Sequence, residues 1–176
     1  MPRNVEIKAR LAGPDALARL TAQAAALATE GPLLLRQDDT FFPCANARLK
    51  LRQFASGEGE LIFYRRADDA GPKTSYYLRA PVADPAALRA VLVAALGEGA
   101  RVVKERTVYW VGRTRVHLDR VEALGDFIEL EVVLADDESE ADGEREALDL
   151  MARLGVPPGQ FERGAYVDLL AAGAAA

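Results

Sequence analysis

Charged side chains alternate with apolar ones along several short segments of this chain. Residues 4–10 read Asn-Val-Glu-Ile-Lys-Ala-Arg, which places apolar side chains on one face of a strand and polar side chains on the other. The pattern recurs in residues 48–52, Arg-Leu-Lys-Leu-Arg, and around Glu129 and Glu131. One such strand is typical of a half-exposed sheet. Five or six of them, with an excess of Lys and Arg, predict a closed barrel whose polar faces line a common cavity.

Basic residues are concentrated on the proposed inner faces, although the whole chain is acidic. The 176 residues include 22 Lys and Arg and 27 Asp and Glu, which gives a net charge of −5. This balance argues against a nucleic-acid-binding exterior. Twelve basic but only four acidic side chains fall on the inner faces, namely Lys8, Arg10, Arg48, Lys50, Arg52, Arg66, Lys73, Arg79, Lys104, Arg106, Arg113 and Arg115 against Glu6, Asp119, Glu129 and Glu131.

The strand signals come mostly as neighbouring pairs, which favours an antiparallel sheet in an α+β protein. Turn residues such as Ser56-Gly57 and Gly112 separate the members of a pair. Seven or eight strands are predicted, at residues 4–11, 34–42, 48–54, 60–66, 73–79, 100–111, 113–121 and 127–134.

Three or four helices are predicted around the sheet, at residues 15–30, 84–96, 136–154 and 165–170. Gly31-Pro32 is expected to end the first helix. Asp84 is expected to cap the second, with Pro85 at its first position. We expect one domain over residues 1–170 and a disordered tail over 171–176, because no linker or composition break divides the chain.

Several classes of protein are excluded by the sequence. No apolar run approaches the roughly 18–20 residues that span a bilayer, and the N-terminus shows no signal-peptide pattern. A single cysteine, Cys44, excludes an internal disulfide and suits the reducing cytoplasm. We therefore expect a cytoplasmic protein that binds neither membrane nor nucleic acid.

Three inner-face carboxylates are candidate metal ligands. Glu129 and Glu131 are two apart on one strand and so share a face, and Glu6 lies on the first strand. Carboxylates brought together repel each other unless a cation joins them, and oxygen ligands favour Mg²⁺ or Mn²⁺. The alternative is that Glu129 and Glu131 form the solvated face of an edge strand. The single histidine, His117, is more often structural on a strand than an acid or base.

The dense cations indicate an anion as the ligand. Arg48, Lys50 and Arg52 share one strand face, and the pairs Lys104 with Arg106 and Arg113 with Arg115 repeat the arrangement. Like charges this close are unfavourable unless water or an anion compensates them, and a triphosphate would compensate several at once. The alternatives are a solvated basic face or an RNA-binding surface, and the latter lacks a basic exterior.

With these residues the chain resembles the CYTH-domain family, also called triphosphate tunnel metalloenzymes. The family's N-terminal Glu-x-Glu-x-Lys reads Asn-Val-Glu-Ile-Lys at 4–8. The matching segments in order are 48–52, 64–66 followed by 71–75, 104–106, 117–121, 124–131 and 163–170. The similarity covers nearly the full chain, and the order and spacing of the motifs make it specific.

The resemblance implies a closed eight-stranded antiparallel barrel, or tunnel, with flanking helices that binds a triphosphate and Mg²⁺ or Mn²⁺. It also implies roles for Lys8, Asp119 and Arg115 in catalysis, and it is the only ground for expecting a homodimer. The implied metal ligands are Glu6, Glu129, Glu131 and Asn4, and the implied phosphate-binding residues are Lys8, Arg48, Lys50, Arg52, Arg66, Lys73, Lys104, Arg106 and Arg115.

Three functions follow from this resemblance. The leading one is a class IV adenylyl cyclase-like enzyme that converts ATP to cyclic AMP and pyrophosphate. The second is a triphosphatase that hydrolyses tripolyphosphate, thiamine triphosphate or a nucleoside triphosphate. The third is a protein that binds a triphosphate or nucleotide without turnover, because Asn4 brings no charge where the family has Glu. The remaining alternative is an interaction domain whose charged sheet face is simply solvated.

Overall fold

Eight antiparallel strands close into one barrel in the computed structural model, as predicted. The structure describes residues 3–67 and 71–174, and the strand order around the barrel is β1-β5-β4-β3-β2-β6-β7-β8. The strands are β1 (Arg3–Arg10), β2 (Glu30–Phe42), β3 (Arg48–Phe54), β4 (Gly59–Arg66), β5 (Lys73–Val82), β6 (Arg101–Val111), β7 (Thr114–Val121) and β8 (Gly125–Val133).

Four α-helices flank the barrel, together with a short 3-10 turn at Pro158–Gln160. Asp84 caps the second helix as predicted, because its Oδ1 accepts a hydrogen bond from the Ala87 N–H at 2.9 Å. None of the described helices has the length and apolar character needed to cross a membrane. The helices are α1 (Ala16–Leu27), α2 (Pro85–Leu96), α3 (Glu140–Arg153) and α4 (Tyr166–Ala174).

The boundary between α1 and β2 differs from the prediction. The helix ends at Leu27, and Gly31-Pro32 belongs to the strand instead of stopping the helix. The β2–β6 register shifts between Glu30 and Leu33, and a proline without an N–H is tolerated at such an irregularity. Gly31 has φ of 110°, and a Cβ there would lie 2.8 Å from the Val108 carbonyl oxygen, so this position requires glycine.

Two other boundaries also differ. Helix α3 begins after Ser139, whose Oγ accepts a hydrogen bond from the Asp142 N–H, so residues 136–139 precede the helix instead of opening it. Helix α4 continues to Ala174, four residues beyond the predicted end. The tail predicted at 171–176 is therefore helical as far as it is described, and residues 175–176 lie outside the described residues.

The apolar core divides between the outside of the barrel and one end of its interior. Helices α1 and α3 pack against the outer faces of β1, β7 and β8, where Ile7 and Leu130 are fully buried. A second cluster inside the barrel joins Phe41, Phe127 and Tyr166, and the first residue of α4 thereby closes one end. The polar inner faces are left to surround a cavity that is open at the other end.

Candidate functional site

A cavity of about 410 Å³ runs along the inside of the barrel, and all eight strands contribute to its lining. Inward positions alternate along each strand, so most of the predicted polar face lines this cavity. The predicted site residues among the lining are Asn4, Glu6, Lys8, Lys50, Arg52, Arg66, Lys104, Arg106, Arg115, Glu129 and Glu131. The barrel thus brings together eleven side chains that are far apart in sequence.

Three of the predicted site residues lie outside that lining. Arg48 borders a smaller surface pocket, where its Nη2 bonds Asp168 Oδ2 at 2.8 Å. Lys73 is buried and pairs in register with Glu6 across β5 and β1. Asp119 is fully buried and bonds Arg106 and Tyr166, which do line the cavity. These three positions share the inner faces without being among the cavity-lining residues that the structure describes.

The carboxylates of β1 and β8 are held by cations from neighbouring strands. Glu6 Oε2 lies 2.6 Å from Arg66 Nη1, and the same Nη1 lies 3.8 Å from Glu129 Oε1. Lys8 Nζ lies 3.4 Å from Glu129 Oε1. Burial alone would raise the pKa of Glu129, but Lys8, Arg106 and His117 outweigh it and hold that pKa well below its ordinary value. Glu129 therefore stays ionised at neutral pH.

His117 joins Glu129 and Glu131 in a cluster that the sequence did not single out. One ligand atom from each of the three lies within 4.8 Å of the others. Burial would raise the pKa of Glu131, but His117 and Arg115 lower it. The Nδ1 atom of His117 is buried and has no hydrogen-bond partner among the described residues. A structural role for His117, as the sequence favoured, does not explain this nitrogen.

Asn4 occupies the position where the family motif has Glu. Its side chain is 2% exposed, and its buried Oδ1 has no hydrogen-bond partner within residues 3–67 or 71–174. A carbonyl oxygen in this state can accept a hydrogen bond or coordinate a cation. The same cavity is lined by the unpartnered Nδ1 of His117 and by the carboxylates of Glu6, Glu129 and Glu131. Together with the Asn4 oxygen, these atoms form a set of donors that suits a divalent cation.

Asp39 is the central anion on the opposite side of the cavity, and the sequence pattern did not identify it. Its carboxylate bonds Arg52 at 2.7 and 2.8 Å, Lys50 at 2.9 Å and Lys104 at 3.2 Å. Burial alone would raise the pKa of Asp39, but these cations hold it well below its usual range. The register Asp39↔Arg52 between β2 and β3 creates this network.

The two lysines of this network release their protons at a lower pH than an exposed lysine does. Burial lowers the pKa of Lys104 to about 7, against the effect of Asp39 and with the help of Arg52. Burial and the neighbouring Arg52 lower the pKa of Lys50 to about 8. Both ammonium groups would gain stability from an additional anion in the cavity.

Asp119, Arg106 and Tyr166 form a buried set at the closed end of the tunnel. Asp119 binds Arg106 through two hydrogen bonds of 2.6 Å and accepts a third from the Tyr166 hydroxyl at 2.7 Å. Burial would lower the pKa of Arg106, but Asp119 and Glu129 raise it well above its usual value. The Lys8 ammonium lies 3.9 Å from the Tyr166 ring centroid, and burial lowers the pKa of Lys8.

The lining is less basic than the sequence suggested. Arg10 ion-pairs with Glu162, and Arg113 with Glu138 and Glu146 beside α3, so both leave the inner set. Asp39 and Glu60 join it as acids. Eight lining side chains are Lys or Arg and five are Asp or Glu, so the fully ionised lining carries an excess of three positive charges.

Apolar and aromatic side chains line the open end of the tunnel. Trp110 and Leu33 lie there on β6 and β2, with Phe54 on β3. Glu60 and Arg79 face each other at 3.7 Å on neighbouring strands and supply an acceptor and a donor at the same end. This end, which we call the mouth, can hold a planar organic group above the cationic interior.

A model of the CYTH domain matches residues 2–166, so the chain belongs to the CYTH family of triphosphate tunnel proteins. Members bind triphosphates, are generally metal-dependent, and are typically adenylyl cyclases or triphosphatases. The chain is 30% identical over 179 residues to adenylate cyclase CyaB of Aeromonas hydrophila, and the match covers 94% of this chain and 87% of that protein.

Solved structures share the barrel. A protein of Pyrococcus horikoshii OT3 matches with a TM-score of 0.82 at 23% identity, over 94% of this chain and 98% of that one. A putative adenylate cyclase of Vibrio parahaemolyticus matches at 0.70 and 20%, over 96% and 97%. A putative adenylyl cyclase of Hippeastrum, described as having a dominant triphosphatase activity, matches at 0.65 and 18%, over 92% and 91%. These similarities support the fold.

Proposed function

We propose that the tunnel is the active site of a metal-dependent enzyme that acts on an organic triphosphate. The observation that carries this proposal is one cavity with an excess of Lys and Arg beside a cluster of His117, Glu129 and Glu131. Cations neutralise the charge that a phosphoryl-transfer transition state develops, and a bound divalent ion would polarise the reacting phosphate.

The cations opposite the cluster would hold the phosphate chain. Lys50, Arg52 and Lys104 are already gathered on Asp39, so they are oriented before any ligand arrives. Arg106 is fixed by Asp119, which lies outside the lining and therefore serves as a positioning residue in this proposal. Lys8 and Arg115 line the cavity and can touch the substrate directly.

The adenylyl cyclase reaction is our preferred activity. In it the ribose 3′-hydroxyl oxygen of ATP attacks the α-phosphorus, its hydroxyl proton passes to solvent, and the bond from the α-phosphorus to the bridging oxygen breaks so that pyrophosphate leaves. The mouth favours a nucleotide over thiamine triphosphate, because Trp110 offers a stacking surface while Arg79 and the tunnel cations disfavour a cationic thiazolium ring. The similarity to an adenylate cyclase at 30% identity points the same way.

Triphosphate hydrolysis is the second candidate. Water would attack the terminal phosphorus in the same cationic tunnel, and the products would be phosphate, the corresponding diphosphate and a proton released to solvent. The structural similarity to the Hippeastrum protein with dominant triphosphatase activity favours this alternative. Binding without turnover is the third, because Asn4 leaves the cluster one carboxylate short of the family motif.

One panel of reactions separates the three functions. The protein is incubated with ATP, tripolyphosphate or thiamine triphosphate, each with Mg²⁺ or Mn²⁺, and the products are resolved by anion-exchange chromatography. We expect cyclic AMP and pyrophosphate in equal amounts from ATP. Phosphate without cyclic AMP would identify a triphosphatase. Bound substrate without turnover in all six conditions would rule out the enzyme.

A further inference from the structure

We propose that His117 coordinates the divalent ion of the tunnel together with Glu129 and Glu131, and that this nitrogen ligand makes the site prefer Mn²⁺ over Mg²⁺. The inference rests on the proposed metal-dependent function. It extends that function by identifying a ligand from β7, which lies outside the family's carboxylate motifs on β1 and β8. It also specifies which class of ion the chain is built to hold.

The separations of the three side chains fit one ion. His117 Nδ1 lies 3.8 Å from Glu131 Oε1 and 3.9 Å from Glu129 Oε2. Two atoms that each bind an ion at about 2.1 Å can be at most about 4.2 Å apart. Both separations fall within that limit. All three ligand atoms lie within 4.8 Å of one another, so a small movement of one carboxylate completes the set.

The buried Nδ1 atom of His117 is available as a ligand for an ion. The residue is 4% exposed, and Nδ1 has no hydrogen-bond partner in the part of the chain that the structure describes. Such a buried and unpaired nitrogen is unfavourable, and a bound ion would supply its partner.

The carboxylates keep oxygen atoms directed at His117 while they bind cations elsewhere. Glu131 uses Oε2 for Arg115, at 2.6 Å, and turns Oε1 to His117. Glu129 uses Oε1 for Lys8, and its Oε2 lies between Arg106 and His117. The register His117↔Glu129 between β7 and β8 fixes this arrangement in the backbone.

The neutral side chain of Asn4 changes the set of donors that the site offers to a metal ion. The family motif would place a second β1 carboxylate here, and the amide supplies only a neutral oxygen. An all-oxygen set of high charge suits Mg²⁺, which binds carboxylates and water in a strict octahedron. One carboxylate fewer and one imidazole more shifts the preference toward first-row transition ions.

The direct test is pulsed electron paramagnetic resonance of Mn²⁺ bound to the untagged protein. Because the chain has a single histidine, ¹⁵N-labelled histidine labels the His117 ring alone. We expect echo modulation from a directly bound ¹⁴N nucleus, its replacement by ¹⁵N couplings on labelling, and its loss in His117→Asn. Mn²⁺ that binds without nitrogen coupling would overturn the inference but leave the proposed function intact. If no Mn²⁺ binds, both fail.

The selectivity is tested by titrating Mn²⁺ and Mg²⁺ into the same variants. We expect His117→Asn to weaken Mn²⁺ binding by about tenfold or more and Mg²⁺ binding by much less. Gln37→Ala is the matched control, since it also removes a buried lining side chain with an unpartnered Oε1 but lies on β2. Equal losses for both ions in His117→Asn would contradict the proposed selectivity.

Discussion

At the scale of single residues, Asp39 is the group that holds Lys50, Arg52 and Lys104 together on one side of the cavity. Three cations, one buried and two partly buried, lie within 3.2 Å of its carboxylate, and each would repel the other two without it. It also competes with any incoming phosphate for the same donors. Asp39 therefore stabilises the clustered cations, and a bound triphosphate would neutralise part of the same positive charge.

Replacing Asp39 by Asn should destabilise the fold. We expect the free energy of unfolding to fall by about 3–5 kcal/mol, because three clustered cations lose their common buried partner. Urea denaturation measures the change, and tripolyphosphate should restore part of the loss. The adjacent Asp38→Asn is the control. Its partner Arg101 is exposed, so the expected change is below about 1 kcal/mol. Equal losses in the two variants would contradict this assignment.

The lowered pKa of Lys104, about 7, predicts pH-dependent binding of tripolyphosphate. Below pH 7 the ammonium is already charged, and above it the ligand must bind together with a proton. Affinity should therefore fall as pH rises from 7 to 8.5, by up to about tenfold per pH unit.

Calorimetry at pH 8 in buffers of different ionisation enthalpy measures this proton uptake. The uptake should be smaller in Lys104→Met than in the wild-type protein. The remainder belongs to Lys50, whose pKa is about 8, and to the ligand itself. Identical uptake in both proteins would show that Lys104 is not the group that titrates.

At the scale of elements, α4 determines which end of the barrel is open. Its first residue, Tyr166, packs edge-on against Phe127 at 5.0 Å between ring centroids and donates its hydroxyl hydrogen to Asp119. The same ring lies under the Lys8 ammonium. A helix that begins at this tyrosine thus closes the tunnel and helps to orient Arg106 through Asp119.

Tyr166→Phe should lower the free energy of unfolding by about 1.5–3 kcal/mol, because it removes a hydrogen bond to a buried carboxylate. Thermal and urea denaturation measure this change. Tyr76→Phe is the matched control, since the Tyr76 hydroxyl bonds Glu140 at an exposed site and its loss should cost below about 0.5 kcal/mol. A Tyr166→Phe protein as stable as this control would show that the bond to Asp119 contributes little.

At the scale of the whole molecule, the barrel separates an apolar mouth from a charged interior. A nucleotide fits this division, with its base at Trp110 and its phosphates among the lysines and arginines. Tripolyphosphate needs the interior alone. The two ligands therefore report on different parts of the same tunnel.

Trp110→Ala should weaken ATP binding by roughly 1–3 kcal/mol, the usual contribution of one base stacked on an aromatic ring. Tripolyphosphate binding should be unchanged, and Trp110→Phe should retain most of the ATP affinity. Leu34→Ala, on the outer face of β2, is the control for general effects at this end. Equal losses for ATP and tripolyphosphate would place the base elsewhere.

The sequence predicted the closed barrel because charge alternates in phase with the strands, and the structure confirms all eight. It did not identify Asp39, since Asp38 and Asp39 place carboxylates on both faces of β2 and only the pairing with Arg52 shows which one points inward. The sequence favoured a structural role for His117 for a related reason. Its neighbours Glu129 and Glu131 belong to another strand, and single-strand patterns do not reveal cross-strand contacts.

The measurement that tests the central claim most directly is a calorimetric titration of the protein with tripolyphosphate in the presence of Mn²⁺. The account predicts one site per chain in the wild-type protein and a loss of most of its affinity in a Lys50→Met, Arg52→Met double variant that remains folded by circular dichroism. Absence of binding to the wild-type protein, or unchanged affinity in the folded double variant, would contradict a triphosphate site inside the barrel.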